Sequence, residues 1–160
     1  MDERIKKLAY NLVNYSCRVQ KGEKVLISCS GVHPLPLVKQ IIKEVYAAGA
    51  LPFVNFTTNS IDRELLLNIT EEQLKIMAEC DAARMSQMDA YIGVRGEDNI
   101  SEMSDVPSEK LSMYDRLYTS PVHHDIRVPK TKWVVLRYPS PSMAQSAHQS
   151  LEAFEDYYYN

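Results

Sequence analysis

A three-layer α/β/α sandwich, its mostly parallel sheet built from βαβ units, is the fold this sequence predicts. Three observations carry that expectation. Four short, largely apolar runs stand along the chain: KVLIS, LPFVNF, AYIGV and TKWVVLRYP. The first, almost wholly apolar, suits a strand buried on both faces, as in a parallel sheet. Between them, apolar residues recur three and four positions apart, the period of a helix with one buried stripe. Strands and helices therefore alternate, joined by short turns, and that alternation builds a parallel sheet covered on both sides.

The first element is a helix from about Asp2 to Val19, with Ile5, Leu8, Ala9, Leu12 and Val13 as its stripe. Lys21-Gly22 ends it, and Lys24 to Ser28 forms the first strand. HPLP restarts the chain into a helix carrying Leu37, Val38, Ile41, Ile42 and Val45. Gly49 closes that helix, where a left-handed cap favours glycine. The second strand runs from Leu51 to Phe56, with Pro52 near its start, where a missing N–H does least harm. TTNS then leads into a short helix through Leu65 to Leu67. Thr70 with Gln73 reads as a capping box for a longer helix whose Leu74, Met77 and Ala78 face inward. The third strand is Ala90 to Val94, and RGEDNISEMSDVPSEK follows as a polar connection. A helix begins near Pro107, the favoured first-turn position. TKWVVLRYP is the fourth strand, and the remaining tail reads as one final helix. Met143, Ala147, Leu151, Phe154 and Tyr158 form its apolar face.

At 160 residues the chain has one domain's length and room for a substantial core. A net charge of −3 and a pI near 5.8 argue against a general nucleic-acid binder, which carries a basic face. No run approaches the roughly 20 apolar residues of a membrane span. MDERIKKLAY has mixed charge and no apolar core, so it does not read as a secretory signal. Cys17, Cys29 and Cys80 cannot all pair internally, which points to reduced thiols and a cytoplasmic protein. The methionines Met77, Met85, Met88, Met103, Met113 and Met143 read as gap-filling residues of core and helix faces.

In open parallel sheets, ligands sit beyond the carboxyl ends of the strands. Four segments there hold chemistry-bearing residues. SCSGVHP brings Cys29 close to His33, a thiol with a base. Position 35 is leucine where a phosphatase loop requires arginine, and Gly31 stands alone, without dinucleotide or P-loop spacing. Turn chemistry, with Ser28, Ser30 and His33 satisfying backbone groups, explains this stretch best. In NFTTNSIDRE, the Thr and Asn residues read as helix caps. RGEDNISE holds Arg95, Glu97, Asp98 and Glu102; its carboxylates suit a hard cation such as Mg²⁺, but a solvated loop is the simpler reading. SPVHHDIRVPK holds His123, His124 and Asp125. Read as extended chain, its adjacent histidines diverge, and the third or fourth ligand a zinc site requires is missing. No H-E-x-x-H, paired C-x-x-C or G-x-S-x-G is present. No active site is assembled by these motifs.

Longer stretches say more. Trp133 to Ala147 reads W-V-V-L-R-Y-P-S-P-S-M-A-Q-S-A, followed by F-E-D-Y at Phe154 to Tyr157. K-G-E-K-V-L-I begins at Lys21, and A-A-G-A at Ala47 to Ala50 precedes L-P-F-V. In this order the segments resemble the N-terminal domain of the metallo-aminopeptidase family that includes aminopeptidase T and aminopeptidase S, up to its join with the second domain. Ser140 stands where that family's pattern has Thr, and His148 to Ser150 replace a G-M-S-like stretch. The resemblance implies that the parent removes N-terminal residues from peptides, using two divalent cations (Zn²⁺, Co²⁺ or Mg²⁺) to polarise the scissile carbonyl and activate a bridging water. It places their Glu, His and Asp ligands in a C-terminal catalytic domain, so no catalytic, cofactor-binding or metal-binding residue carries over to this chain. Residues 1–160 are then a single N-terminal α/β domain, inactive alone, whose partners are that catalytic domain, peptide substrates in the parent and a second copy in a homodimer. Neither nucleic acid nor membrane is an expected partner.

The chain stops at Asn160 on three tyrosines inside a helical pattern, with no Gly cap or polar tail. Read with the resemblance, this predicts a cut at the helix leading into the catalytic half, leaving Tyr157 to Tyr159 partly wet. The rival expectation is a free-standing α/β module binding a small anionic ligand near SCSGVH and RGEDN. A small hydrolase built on Cys29-His33 or His123-His124-Asp125 is the third.

Overall fold

The computed structural model describes residues 2–160. Four strands, β1 (Lys24–Ser30), β2 (Leu51–Thr57), β3 (Ala90–Arg95) and β4 (Lys132–Arg137), form one sheet in the order β2-β1-β3-β4, every pair parallel. The predicted α/β sandwich is thus the observed architecture. Each strand runs at most two residues from its predicted bounds.

Strand β1 alternates between two cores. Val25, Ile27 and Cys29, with Ala90, Ile92 and Val94 of β3, face helices α1 (Glu3–Asn11) and α2 (Leu35–Ala47). Leu26 and Tyr91 face the other way, onto Ala78 and Met85 of α4 (Glu71–Met85), Met88 and Val122. A third cluster joins α3 (Asn59–Leu67), α4 and α5 (Ser108–Tyr114) through Leu66, Ile69, Leu74 and Val106. Crossover α2 therefore packs on one face and α4 on the other. That is where right-handed crossovers belong when the chain first moves to one side of β1 and then returns past it. Between β1 and β3 the strand order reverses, and such a switch point opens a crevice at the carboxyl ends of the strands.

Local signals held where they were strongest. The capping box is complete: the Gln73 N–H donates to the Thr70 hydroxyl at 3.2 Å, and the Thr70 N–H donates to Gln73 Oε1 at 2.9 Å. Gly49 adopts φ +76°, as its capping role requires. Met85 and Met88 are buried, while Met77, Met103 and Met113 pack on the third cluster.

Three readings are corrected. The first helix does not run unchanged to Val19: its winding widens to i→i+5 bonds over Leu12–Ser16, and Arg18 at φ 44° turns the chain. SPVHHDIRVPK is not extended. It continues α5 as wide helical turns over Asp115–Arg127, then α6 (Val128–Lys130). Strand β2 lies at the sheet edge, and Phe53, Val54 and Phe56 remain 38%, 43% and 50% exposed. The tail is not one helix. It breaks at His148, which sits at φ 56°, into α7 (Pro141–Ser146) and α8 (Leu151–Tyr159).

That break scrambles the predicted stripe, leaving Ala147 and Leu151 exposed. Ser150 caps α8 by accepting from the Ala153 N–H at 3.2 Å. Arg4 ties α8 to α1, pairing with Asp156 at 2.8 Å and lying 4.9 Å over the Tyr159 ring. The three tyrosines divide: Tyr157 is 74% exposed, Tyr158 is half-buried, and Tyr159 packs on the α1/α2 core.

Candidate functional site

The switch-point crevice is real and polar. On the α4 side of the sheet, two adjoining cavities of about 310 and 330 Å³ share Ser28, Thr57, Asp62, Tyr91, Tyr114 and His123. Alternation explains their position. Ser28 and Ser30 of β1, and Gly93 and Arg95 of β3, follow Leu26 and Tyr91 on the same strand faces. Small and polar side chains replace bulky ones toward the carboxyl ends, and the layer opens.

Hydrogen bonds order the walls. Thr57 donates to Asp62 at 2.7 Å, Arg84 donates to Asn55 at 2.6 Å, and the Tyr118 hydroxyl donates to Asp81. Arg127 donates through Nε to His123 Nδ1 at 2.7 Å. Its guanidinium carbon lies 5.0 Å from the Tyr91 ring centre and 4.9 Å from that of Trp133, a sandwich held by cation–π attraction. Arg127 Nη1 is buried with no hydrogen-bond partner among the described residues.

These contacts set protonation. Burial first, then the charge of Arg127, pushes His123 down to about 4, so the imidazole is neutral near pH 7. Burial raises Tyr114 to about 12. Burial and the bond to Asp81 raise Tyr118 further. Both phenols stay protonated. A neutral imidazole whose Nδ1 already accepts a proton donor, beside protonated phenols, can bind and orient a ligand. It supplies no activated nucleophile.

The residues singled out from sequence fall differently. Cys29 points into the α1/α2 core, away from the cavities; its thiol contacts the Gly31 carbonyl oxygen at 3.4 Å, and burial pushes it up to about 11. His33 is not its partner: His33 Nε2 meets the Asp98 carboxylate. Ser30 and His33 are thus satisfied by acidic side chains of the β3 loop rather than by local backbone. Thr58, at the N-cap of α3, makes no side-chain cap bond, so the predicted local cap is also corrected. Glu97 does that work from across the loop, accepting from the Asn59 N–H at 2.9 Å and the Ser30 hydroxyl at 2.6 Å. The RGEDNISE segment is therefore a tie between loops and not merely solvated chain. Its carboxylates occupy the places where SCSGVH would receive an anion, which counts against the rival reading there. Of His123, His124 and Asp125, only His123 lines the cavities; the other two are exposed.

Asp62, Asp81, Tyr118 and Arg127 were missed as wall residues. The i,i+4 spacing of His123 and Arg127 was the available signal, usable only with that segment read as helix. Among the described residues, no group of three or more His, Cys, Asp and Glu side chains comes together to hold a metal. Those present do not fit a paired-cation centre.

A parallel α/β sandwich with a polar switch-point cavity defines the class. The chain belongs to the thermophilic metalloprotease family M29, whose family model matches residues 1–160. That is the aminopeptidase T family the sequence resembles. Among solved structures, wild-type AmpT from Thermus thermophilus superposes with a TM-score of 0.65 at 22% identity, over 85% of this chain and 36% of that one. At that identity the likeness concerns the fold. This chain therefore spans about a third of the length of that relative. CurK enoyl reductase aligns at a TM-score of 0.37 and 13% identity, over 95% of this chain and 46% of that one, too distant to carry an argument. A comparison with curated proteins found no match.

Proposed function

We propose that residues 1–160 are the non-catalytic N-terminal domain of a metal-dependent aminopeptidase, a scaffold for a catalytic domain elsewhere in the same polypeptide. The full-length enzyme would hydrolyse N-terminal residues from peptides, using two divalent cations, Zn²⁺, Co²⁺ or Mg²⁺, bound outside this chain. The carrying observation is the pairing of a family match across all 160 residues with no metal-holding cluster among the described residues. Coverage of only 36% of AmpT agrees with it. The scaffold would wall one side of the substrate cavity and contribute to a cytoplasmic homodimer.

An assay of the purified 160-residue chain on a short peptide, with and without added Zn²⁺, Co²⁺ or Mg²⁺, tests the reading. The expected result is no metal-dependent release of the N-terminal residue. Release that requires metal and is lost on chelation would refute the scaffold role.

A further inference from the structure

Beyond the two adjoining cavities lies a third, of about 370 Å³, bordered by Arg95, Arg137, Ile100, Ser142 and Met143. Arg95 borders this cavity and its neighbour alike, so it stands between them. Its register partner on β4 is Arg137. Residues in register on neighbouring parallel strands project from the same face of the sheet, so the two arginine side chains leave it from neighbouring positions. Both residues are exposed, and neither makes an ion pair or side-chain hydrogen bond among the described residues. Like charges so placed repel one another unless an anion lies between them.

Arg127 adds to the excess. It lines the middle cavity, makes no ion pair with an acidic side chain among the described residues, and is near enough for the charge of Arg95 to help depress it, after burial as the first cause. The acidic residue that also borders the outer cavity, Glu97, has its carboxylate engaged by Ser30 and by the Asn59 N–H. Asp62, which lines the middle cavity, accepts from the Thr57 hydroxyl. In a chain of net charge −3, three arginines against these two engaged carboxylates make this corner a local positive site at the carboxyl end of the sheet, where open α/β sheets take ligands. Arginine suits a carboxylate in particular, because its planar fork of donors matches two oxygens at once. On the same wall, Ile100 is 73% exposed and Met143 half-buried, an apolar surface beside the charge.

We propose that Arg95 and Arg137 form a carboxylate-binding site for the C-terminal end of a short peptide, with Ile100 and Met143 receiving its last side chain. The shared chemistry is an anion held by paired guanidiniums. Its assignment to a peptide rests on the aminopeptidase reading above. A carboxylate anchor here would favour short peptides, whose far end reaches it while the near end occupies the catalytic domain.

The test is binding to the 160-residue chain, followed by amide chemical shifts. N-acetyl-trialanine as the free acid is titrated against the same peptide as its C-terminal amide, with inorganic phosphate as a separate arm. The expected result is saturable shifts at Arg95, Gly96 and Arg137 with the acid, and at least about tenfold weaker binding of the amide, the loss of one charge-assisted contact pair. The double variant Arg95→Gln/Arg137→Gln is expected to weaken the acid at least as much; both side chains are exposed, and circular dichroism checks that the fold is kept. Equal binding of acid and amide, no shifts with either, or binding that survives the double variant overturns the site. Phosphate binding more tightly than the peptide acid overturns its assignment to peptides. Binding is read without catalysis, so failure here leaves the scaffold proposal standing, and metal-dependent activity of this chain would refute that proposal without altering these shifts.

Discussion

The two faces of the sheet share their strands yet differ in kind. Toward α1 and α2, the alternate residues Val25, Ile27, Cys29, Ala90, Ile92 and Val94 are apolar from end to end and fully buried. Toward α4, the intervening residues begin as Leu26 and Tyr91 and finish as Ser28, Ser30, Gly93 and Arg95. The first face is a dry core. The second is core at its amino end and cavity at its carboxyl end. A period of two lets one strand carry both patterns independently, so a packed core and an open cavity sit on opposite sides of the same seven or six residues.

Substitutions on the two faces should separate accordingly. Ile92→Ala, in the dry face, is expected to cost about 2–5 kcal/mol in urea unfolding, the transfer loss plus the cavity left behind. Ser28→Ala, at a half-buried cavity position without a hydrogen bond, should stay within about ±0.5 kcal/mol. Comparable losses at the two positions would break the comparison.

The loop tie is next in size. Gly31 has φ +91°, and a Cβ there would lie 2.2 Å from the Gly96 carbonyl oxygen, backbone that cannot swing aside. Gly31→Ala should therefore cost about 1–3 kcal/mol, the scale of a strained left-handed residue, and loosen the β1 and β3 loops together. Amide exchange that quickens at Gly31 but not around Gly96 would show that the loops are not coupled.

The smallest effect is one of pH. His123 titrates at about 4 when folded and near 6.5 when unfolded. Between those values the unfolded chain binds more protons, so stability is full above about 6.5 and declines as pH falls toward 4. With His123 partly exposed, the decline it contributes is on the order of 1 kcal/mol after solvent screening. Urea midpoints at pH 7 and 4.5 should differ less in His123→Gln than in the wild type. An unchanged difference would show that the imidazole is not buried at the cavity wall.

Much of the fold was legible because its signals are local. A capping box, a glycine cap and an apolar run are decided within a turn or a few residues, and Thr70-Gln73, Gly49 and the four strands all appear as read. The site was mostly illegible because its pairings are distant. Glu97 reaches Ser30 and Asn59 only after the strand order brings the loops together, and Arg95 meets Arg137 only because β3 and β4 are neighbours in register. Propensity also misled where packing overrode it: the wide winding of Asp115–Arg127 places His123 and Arg127 on the cavity, and the break at His148 turns α8 back onto α1. By itself, the sequence determined the alternation of strands and helices, the caps at Thr70 and Gly49 and the family. Tertiary structure alone decided the strand order, the two unlike faces and the charge of the carboxyl-end corner, since each depends on residues that meet in space and not along the chain.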